Sequence, residues 1–251
     1  MIEIKHISKK YQDKYALKDI NMEINEGETM AIIGGSGSGK STLLRLMIGL
    51  IKPTEGEIII DGQDITKLND KEMDKVRLNM GMVFQYSALF DSMTVGDNVA
   101  FGLREHTDYD EEKIGKIVKE KLHLVGLDDV EKMMPNDLSG GMKKRVSLAR
   151  ALAIDPKIVF YDEPSSGLDP IMTAKIDELI ISTQRALNVT SIVVTHDMAS
   201  ACRISDRIAM IYNGELIALD TVENFKKIDD PRVRAFFGTL LAGKGDEKFE
   251  Q

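Results

Sequence analysis

The chain holds a single cysteine, Cys202. An internal disulfide is therefore excluded, and the composition fits a reducing cytoplasm. A basic excess is also missing: 33 Lys and Arg stand against 41 Asp and Glu, giving a net charge of −8 at neutral pH. Nucleic-acid binders carry a positive footprint, so no nucleic-acid partner is expected. No apolar run approaches the roughly 20 residues of a membrane-spanning helix. The stretch LLRLMIGLI is short and contains Arg45. The opening residues MIEIKHISKKY lack the apolar core of a signal peptide. The chain itself is thus expected not to cross a membrane, which leaves it free to sit beside proteins that do. Internal repeats and low-complexity tracts are absent too.

What is present is the composition of an ordinary globular protein, 251 residues with 43% apolar and 29% charged. That length suits one large domain or two closely joined ones. Ile2, Ile4 and His6 alternate with Glu3 and Lys5, a strand pattern, and Leu17, Ile20, Met22 and Ile24 predict a second strand. Met30 to Ile33 is continuously apolar, as in a strand buried on both faces. Further strands are predicted at 56–60 and 82–84, with a hairpin turn at Asp61-Gly62. From about Ser87 to Ala153 helical spacing dominates, for example Ile114, Ile117, Val118, Leu122 and Val125 ahead of Gly126. From Lys157 strands and helices alternate again, ending in a hairpin at Asn213-Gly214. The fold class expected is α/β with a helical insertion: 1–86 and 154–220 as the α/β core with an antiparallel β subdomain, 87–153 as the inserted helices, and 221–251 as a C-terminal extension.

GGSGSGKST, comprising Gly34, Gly35, Ser36, Gly37, Ser38, Gly39, Lys40, Ser41 and Thr42, satisfies G-x-x-x-x-G-K-[ST] between a predicted strand and a predicted helix. Glycines let backbone N–H groups turn inward around phosphates, and the helix N-terminus adds its positive dipole end. Lys40 would supply charge to the β- and γ-phosphates, and the Ser41 hydroxyl could ligate Mg²⁺. A flexible Gly/Ser linker would lack the strand before, the helix after and the placed Lys-Ser pair.

IVFYDE ends an apolar strand in two acids. Such strand ends face the ligand crevice of a parallel sheet. Asp162 there can hold Mg²⁺ through water, and Glu163 can polarise an attacking water. Alone, the pair would read as a solvated acidic loop; beside a phosphate loop it reads as catalytic.

LSGGM opens a further helix, with Ser139 as its N-cap and Gly140 and Gly141 leaving the end open to an anion. One nucleotide already has its phosphate loop, so this second grip makes sense toward a nucleotide held by another copy. Two chains head to tail about a two-fold axis would complete each other's sites. A plain helix cap has the same pattern, and sequence chemistry does not choose between them.

Taken together, GGSGSGKST, IVFYDE and LSGGM, in that order, resemble the ATP-binding subunit of ABC transporters over roughly residues 2–219. The resemblance implies a P-loop NTPase (RecA-like) core of the ABC ATPase fold, binding ATP and Mg²⁺. It also implies a homodimer with composite sites, docked on integral membrane permease subunits at the inner face of the inner (plasma) membrane. Position by position, Tyr11 looks like the residue that stacks on adenine. Gln85 in MVFQ looks like the glutamine that touches Mg²⁺ and senses the membrane subunits. Asp169 of SGLD looks like part of the loop that meets the partner, and His196 like the histidine on the γ-phosphate. Lys40 and Glu163 complete the catalytic set with His196.

A narrower resemblance lies in FQYSALFDSMTVGDNVAFGLREHT, MPNDLSGGM and DPRVRAFF. These look like the ATPase of Mla/Mce-type transporters, which traffic phospholipids between the inner and outer membranes of diderm bacteria. Met142 departs from the glutamine that most of the wider family has there. DPRVRAFFGTLLAG, with Val233, Phe236, Phe237, Leu240 and Leu241, reads as an amphipathic segment that needs an apolar cover: a second protomer, a small accessory cytoplasmic subunit, or partial packing on its own chain. Other readings are an importer ATPase for a small polar solute such as an amino acid or betaine, often with a longer regulatory domain, and a soluble ABC ATPase of DNA repair or translation. The long coiled-coil insertion of the repair type and the paired ATPase halves of the translation type are both missing. A module that binds without hydrolysing is disfavoured by the intact Lys40, Asp162, Glu163 and His196.

Overall fold

A computed structural model of the chain describes residues 1–242, with 238–242 described in backbone only. A hairpin of β1 (Ile2–Tyr11) and β2 (Lys14–Ile24) precedes the buried β3 (Thr29–Ile33). Then come α1 (Lys40–Met47), β4 (Glu55–Ile60), the two-residue β5 (Gln63–Asp64), α2 (Asp70–Arg77) and β6 (Met80–Val83). Three helices follow in succession, α3 (Val95–His106), α4 (Glu111–Leu124) and α5 (Gly140–Leu152). Alternation resumes with β7 (Ile158–Asp162), α6 (Pro170–Leu187), β8 (Thr190–Thr195) and α7 (Met198–Ile204). The described chain ends with β9 (Arg207–Tyr212), β10 (Glu215–Thr221), α8 (Val222–Phe225) and α9 (Pro231–Ala242).

Two sheets result. The first is antiparallel, in the order β2-β1-β4-β5. The second runs β10-β9-β3-β8-β7-β6, parallel from β9 to β6 with β10 antiparallel at its edge. Its strands are covered on both faces, which is why they read as unbroken apolar runs. Ile32, Phe160 and Val194 join a core shared with β1, β2 and α1. Val159, Tyr161 and Val193 turn to a second core built with α3, α4, α5 and α6. Ala31 and Ile33 face a third, with α7, Phe225 and Val233.

The period-two reading of β1 fails at His6. The register against β2 shifts between Ile4 and Ile7, and His6 takes a left-handed φ of 52°. This bulge turns Ile7 inward and leaves His6 outside, with Nδ1 2.8 Å from Asp19 Oδ1. Two small elements, β5 and α2, lie outside the sequence expectation. Helix α2 starts from an Asn69–Glu72 capping box and buries only Met73, so its apolar period is faint. The expected strand at 82–84 begins two residues earlier, at Met80.

Helix α9 finds part of its cover on its own chain. Val233 is 1% exposed in the third core, and the Phe237 and Phe225 rings lie 6.0 Å apart. The side chains of Leu240 and Leu241, and all of 243–251, fall outside the described residues. Among the described residues no helix is long and apolar enough to cross a membrane.

The loop between β6 and α3 is organised by one buried amide. Asn98, fully buried on α3, accepts from the Phe90 N–H at 2.8 Å. It donates to the carbonyls of Phe90, Met93 and Thr94 at 3.0–3.2 Å. Asn98→Ala leaves these groups without their partner and is expected to cost about 2–3 kcal/mol. Denaturant unfolding of the full chain checks this, and a loss under about 0.5 kcal/mol would contradict it.

Candidate active site

The parallel strands deliver their C-terminal ends to one edge. β3 runs out at Ile33 into the Gly34–Thr42 segment, whose close packing requires glycine. Gly34 has φ 152°, and a Cβ there would overlap the Ile211 carbonyl oxygen. Gly39 has φ 112°, and its Cβ would stand 2.5 Å from the Ala16 carbonyl oxygen. Strands β9 and β2 thus press on the loop from behind. Lys40 opens α1 and is 7% exposed. Its Nζ donates to the carbonyls of Gly34 and Gly35 at 2.8 and 3.0 Å. Burial pushes the ammonium pKa below the usual lysine range, while the charges of Glu163 and Asp162 oppose that shift. Ser38 Oγ is buried with no partner, and Ser41 and Thr42 are half-buried on the first turn of α1.

Asp162 closes β7. Burial first, and the neighbouring Glu163 second, push its carboxyl above the ordinary aspartate range, against the pull of Arg45 and Lys40. Glu163 sits at φ 49°, a left-handed backbone that glutamate rarely adopts. Its N–H still donates to the Val194 carbonyl at 2.9 Å, so the sheet holds the strained residue in place. His196 follows β8 directly. Its Nδ1 lies 2.8 Å from Glu163 Oε2, and its backbone N–H donates to the same oxygen at 3.4 Å. Gln85 follows β6, and its Nε2 donates to Ser166 Oγ at 3.3 Å.

These pieces line one cavity of about 690 Å³: Gly35, Ser36, Gly37, Lys40 and Ser41 on one side, Gln85, Asp162, Glu163 and His196 on the other. Gly34, Ser38 and Gly39 form the turn behind it. The arrangement fits a nucleoside triphosphate: a glycine loop after a parallel strand, with the Lys40 ammonium at the cavity wall. It also fits Mg²⁺, which favours oxygen donors and shares its shell with phosphates and water. Among the described residues no cluster of three or more His, Cys, Asp or Glu could hold a metal by itself, so phosphate oxygens would have to complete the shell.

Other expected positions stand apart. Ser139 lines a separate cavity of about 750 Å³ with Met142, Arg145 and Met172. Its Oγ accepts from the Met142 N–H at 3.3 Å, capping α5, and Gly140 and Gly141 form the first turn. Asp169 Oδ1 caps α6, accepting from Ile171 and Met172 at 3.0 Å. Tyr11 ends β1, 48% exposed, with Lys9 Nζ 5.2 Å from the ring centre. Met142 itself leans on the helical core.

Four participants escape sequence reasoning. Arg45, one turn into α1, acts electrostatically on Asp162. Lys144, 7% exposed on α5, donates to the Gln85 carbonyl, yet in the run KKR it reads as one of several solvated charges. Ala235 and Phe236 of α9 line the same cavity as Lys40. The apolar character of their segment is visible in the sequence, but its destination is not.

The ABC transporter family pattern matches residues 17–166. The chain belongs to the ABC transporter family. It is 44% identical over 246 residues to the intermembrane phospholipid transport system ATP-binding protein MlaF of Haemophilus influenzae, covering 98% of this chain and 92% of that protein. It is 42% identical over 246 residues to the methionine import ATP-binding protein MetN of Carboxydothermus hydrogenoformans, covering 96% of this chain and 73% of that protein. The dimeric post-hydrolysis structure of the ATP-binding cassette MJ0796 with ADP and Pi superposes with a TM-score of 0.82 at 36% identity, covering 88% of this chain and 99% of that one. The fold is therefore the ABC ATPase fold, and the chain is an ATP-hydrolysing subunit of a membrane transporter.

Because Met142 leans inward on apolar neighbours and contributes its N–H rather than its side chain to the Ser139 cap, Met142→Gln is expected to leave ATP hydrolysis within about threefold, roughly 0.7 kcal/mol of barrier. A steady-state ATPase assay checks this, and a larger change would mean that the side chain shapes the site.

Proposed function

We propose that the chain energises a phospholipid-trafficking transporter, working as a homodimer with two composite ATP sites. It would act from the cytoplasmic face of the inner membrane, docked on integral membrane permease subunits. The observation that carries the lipid assignment is the 44% identity to MlaF over 98% of this chain. The import of a small polar solute is the second reading, favoured by the 42% identity to MetN.

In this reading residues 1–86 and 154–220 form the nucleotide-binding core, 87–153 the inserted helical subdomain and 221–251 the extension. Lys40 leaves the Gly34 and Gly35 carbonyls to meet the β- and γ-phosphates, while the loop N–H groups of 34–39 and the Ser41 hydroxyl hold the remaining oxygens. Ser41, Gln85 and Asp162 would hold Mg²⁺, which would supply positive charge to the phosphate oxygens. Glu163 orients and deprotonates the attacking water. His196, now paired with Glu163, turns to the γ-phosphate and stabilises its developing charge. Tyr11 stacks on the adenine. Ser139, Gly140, Gly141 and Asp169 of the second copy close the site from outside, which accords with the open, exposed start of α5. ATP favours the closed dimer because only there does it meet both grips.

Docking on the membrane subunits is supported by an apolar groove next to Gln85. Phe84, Ala88, Phe90, Phe101 and Ile154 line a cavity of about 430 Å³. Phe84, Phe90 and Phe101 are each about 40% exposed, and Tyr86 beside them is 87% exposed.

Glu163→Gln should cut ATP turnover by about a hundredfold or more while ATP still binds, so that ATP accumulates a stable dimer in size-exclusion chromatography. Free turnover in that variant would refute the role of Glu163. Lys40→Ala should lose ATPase activity through weakened nucleotide binding, measured by calorimetry, and a wild-type rate would refute the phosphate-loop assignment. For the cargo, the transporter complex that copurifies with the chain is extracted and its bound lipid identified by mass spectrometry. Bound phospholipid is expected. A complex free of lipid that binds an amino acid would favour the importer reading instead.

A further inference from the structure

Besides Lys40, a second lysine is buried beside the Gln85 main chain. Lys40 comes from the phosphate loop. Lys144 comes from α5, the helix whose N-terminus carries Ser139, Gly140 and Gly141. It is 7% exposed, and its Nζ donates to the main-chain carbonyl of Gln85. Burial lowers its pKa, and the charges of Glu163 and Asp162 oppose the shift, as they do for Lys40. A buried ammonium is costly unless it is paired and hydrogen-bonded, and solvating a loop carbonyl would not require a cation here. Arg150, two turns along the same helix, fastens the Ser87 and Ala88 carbonyls at 2.9 and 2.7 Å. The backbone that follows Gln85 is thus already anchored, and what Lys144 adds is control of Gln85 itself.

We propose that Lys144 is a positioning residue for hydrolysis: by fixing the Gln85 main chain from α5, it sets where the Gln85 side chain meets the metal side of the phosphate pocket. Gln85 is then held at both ends, by Lys144 at its carbonyl and by Ser166 Oγ at its amide. The same pin joins the two grips of one chain. Ser139 lies five residues before Lys144 on α5 and serves the second copy's nucleotide, while Gln85 and Asp162 serve the chain's own. The inference rests on the assignment of Gln85 and Asp162 to the metal made above.

The test uses the full chain with the membrane subunits that copurify with it. ATP turnover is measured against ATP and against Mg²⁺ for Lys144→Met, Lys144→Gln and Lys144→Arg, with Glu163→Gln as control. Lys144→Met should lower kcat about tenfold or more, raise the Mg²⁺ concentration for half-maximal rate, and leave the ATP KM within about twofold. Lys144→Arg, which keeps a cation with N–H donors, should recover at least about a third of the wild-type kcat. If Lys144→Met does not fold by circular dichroism, Lys144→Gln, which keeps a polar chain in that space, takes its place with the same expectation for the Mg²⁺ dependence. The proposal is overturned if the neutral variant keeps kcat and Mg²⁺ dependence within about twofold, or if Lys144→Arg is no better than that variant. An unimpaired Glu163→Gln would mean instead that the site assignment has failed. An inactive Glu163→Gln beside a wild-type-like Lys144→Met would remove only the role of Lys144.

Discussion

The parallel ladder that joins β3, β8 and β7 sets Ile33 opposite Thr195 and Asp162 opposite Val194. Three strands therefore stop at one level, and the chain leaving each of them meets the others. The Gly34–Thr42 loop follows β3, Asp162 ends β7 with Glu163 just beyond it, and His196 follows β8. Parallel strands need both faces covered, and this is why the helices and the antiparallel sheet pack where they do. The strained φ of Glu163 is tolerated because its N–H remains bonded to Val194, so the ladder that creates the edge also holds the catalytic candidate in it.

A second constraint is the charge balance of the pocket. Two carboxylates at one strand end repel each other, and burial raises the cost, as the upward shift of Asp162 records. Lys40, Arg45 and Lys144 answer that charge from α1 and α5. The molecule is acidic overall, yet its phosphate cavity is lined or backed by cations. A net charge of −8 argues about bulk partners such as nucleic acid; it does not describe the local field that a triphosphate meets.

Helix α5 connects the two halves of the chemistry. Its N-cap Ser139 and Met142 line a cavity of their own, separate from the one that Lys40 lines. Its body reaches back to Gln85, Ser87 and Ala88 through Lys144 and Arg150. One helix thus carries both the contact to Gln85, at the cavity of Lys40, and the Ser139 cap at a separate cavity.

Much of this was legible one segment at a time. The phosphate loop is a local event, strand, glycines and helix within about a dozen residues, and the strand ending in Asp162-Glu163 is another. The capping residue Ser139 announces its helix, and Asn213-Gly214 its hairpin, because backbone N–H satisfaction and positive φ are decided by near neighbours. The tertiary structure alone decided what depends on distant partners. The bulge that expels His6 needs β2 alongside β1. Lys144 meets Gln85 across 59 positions of chain, and Phe236 reaches the cavity of Lys40 from far beyond it. A lysine in a basic run and a phenylalanine in an amphipathic turn carry the same local signature whether they end in solvent or at a catalytic pocket. Only the packing of helices on the sheet, which is cooperative and long-range, chooses between those fates.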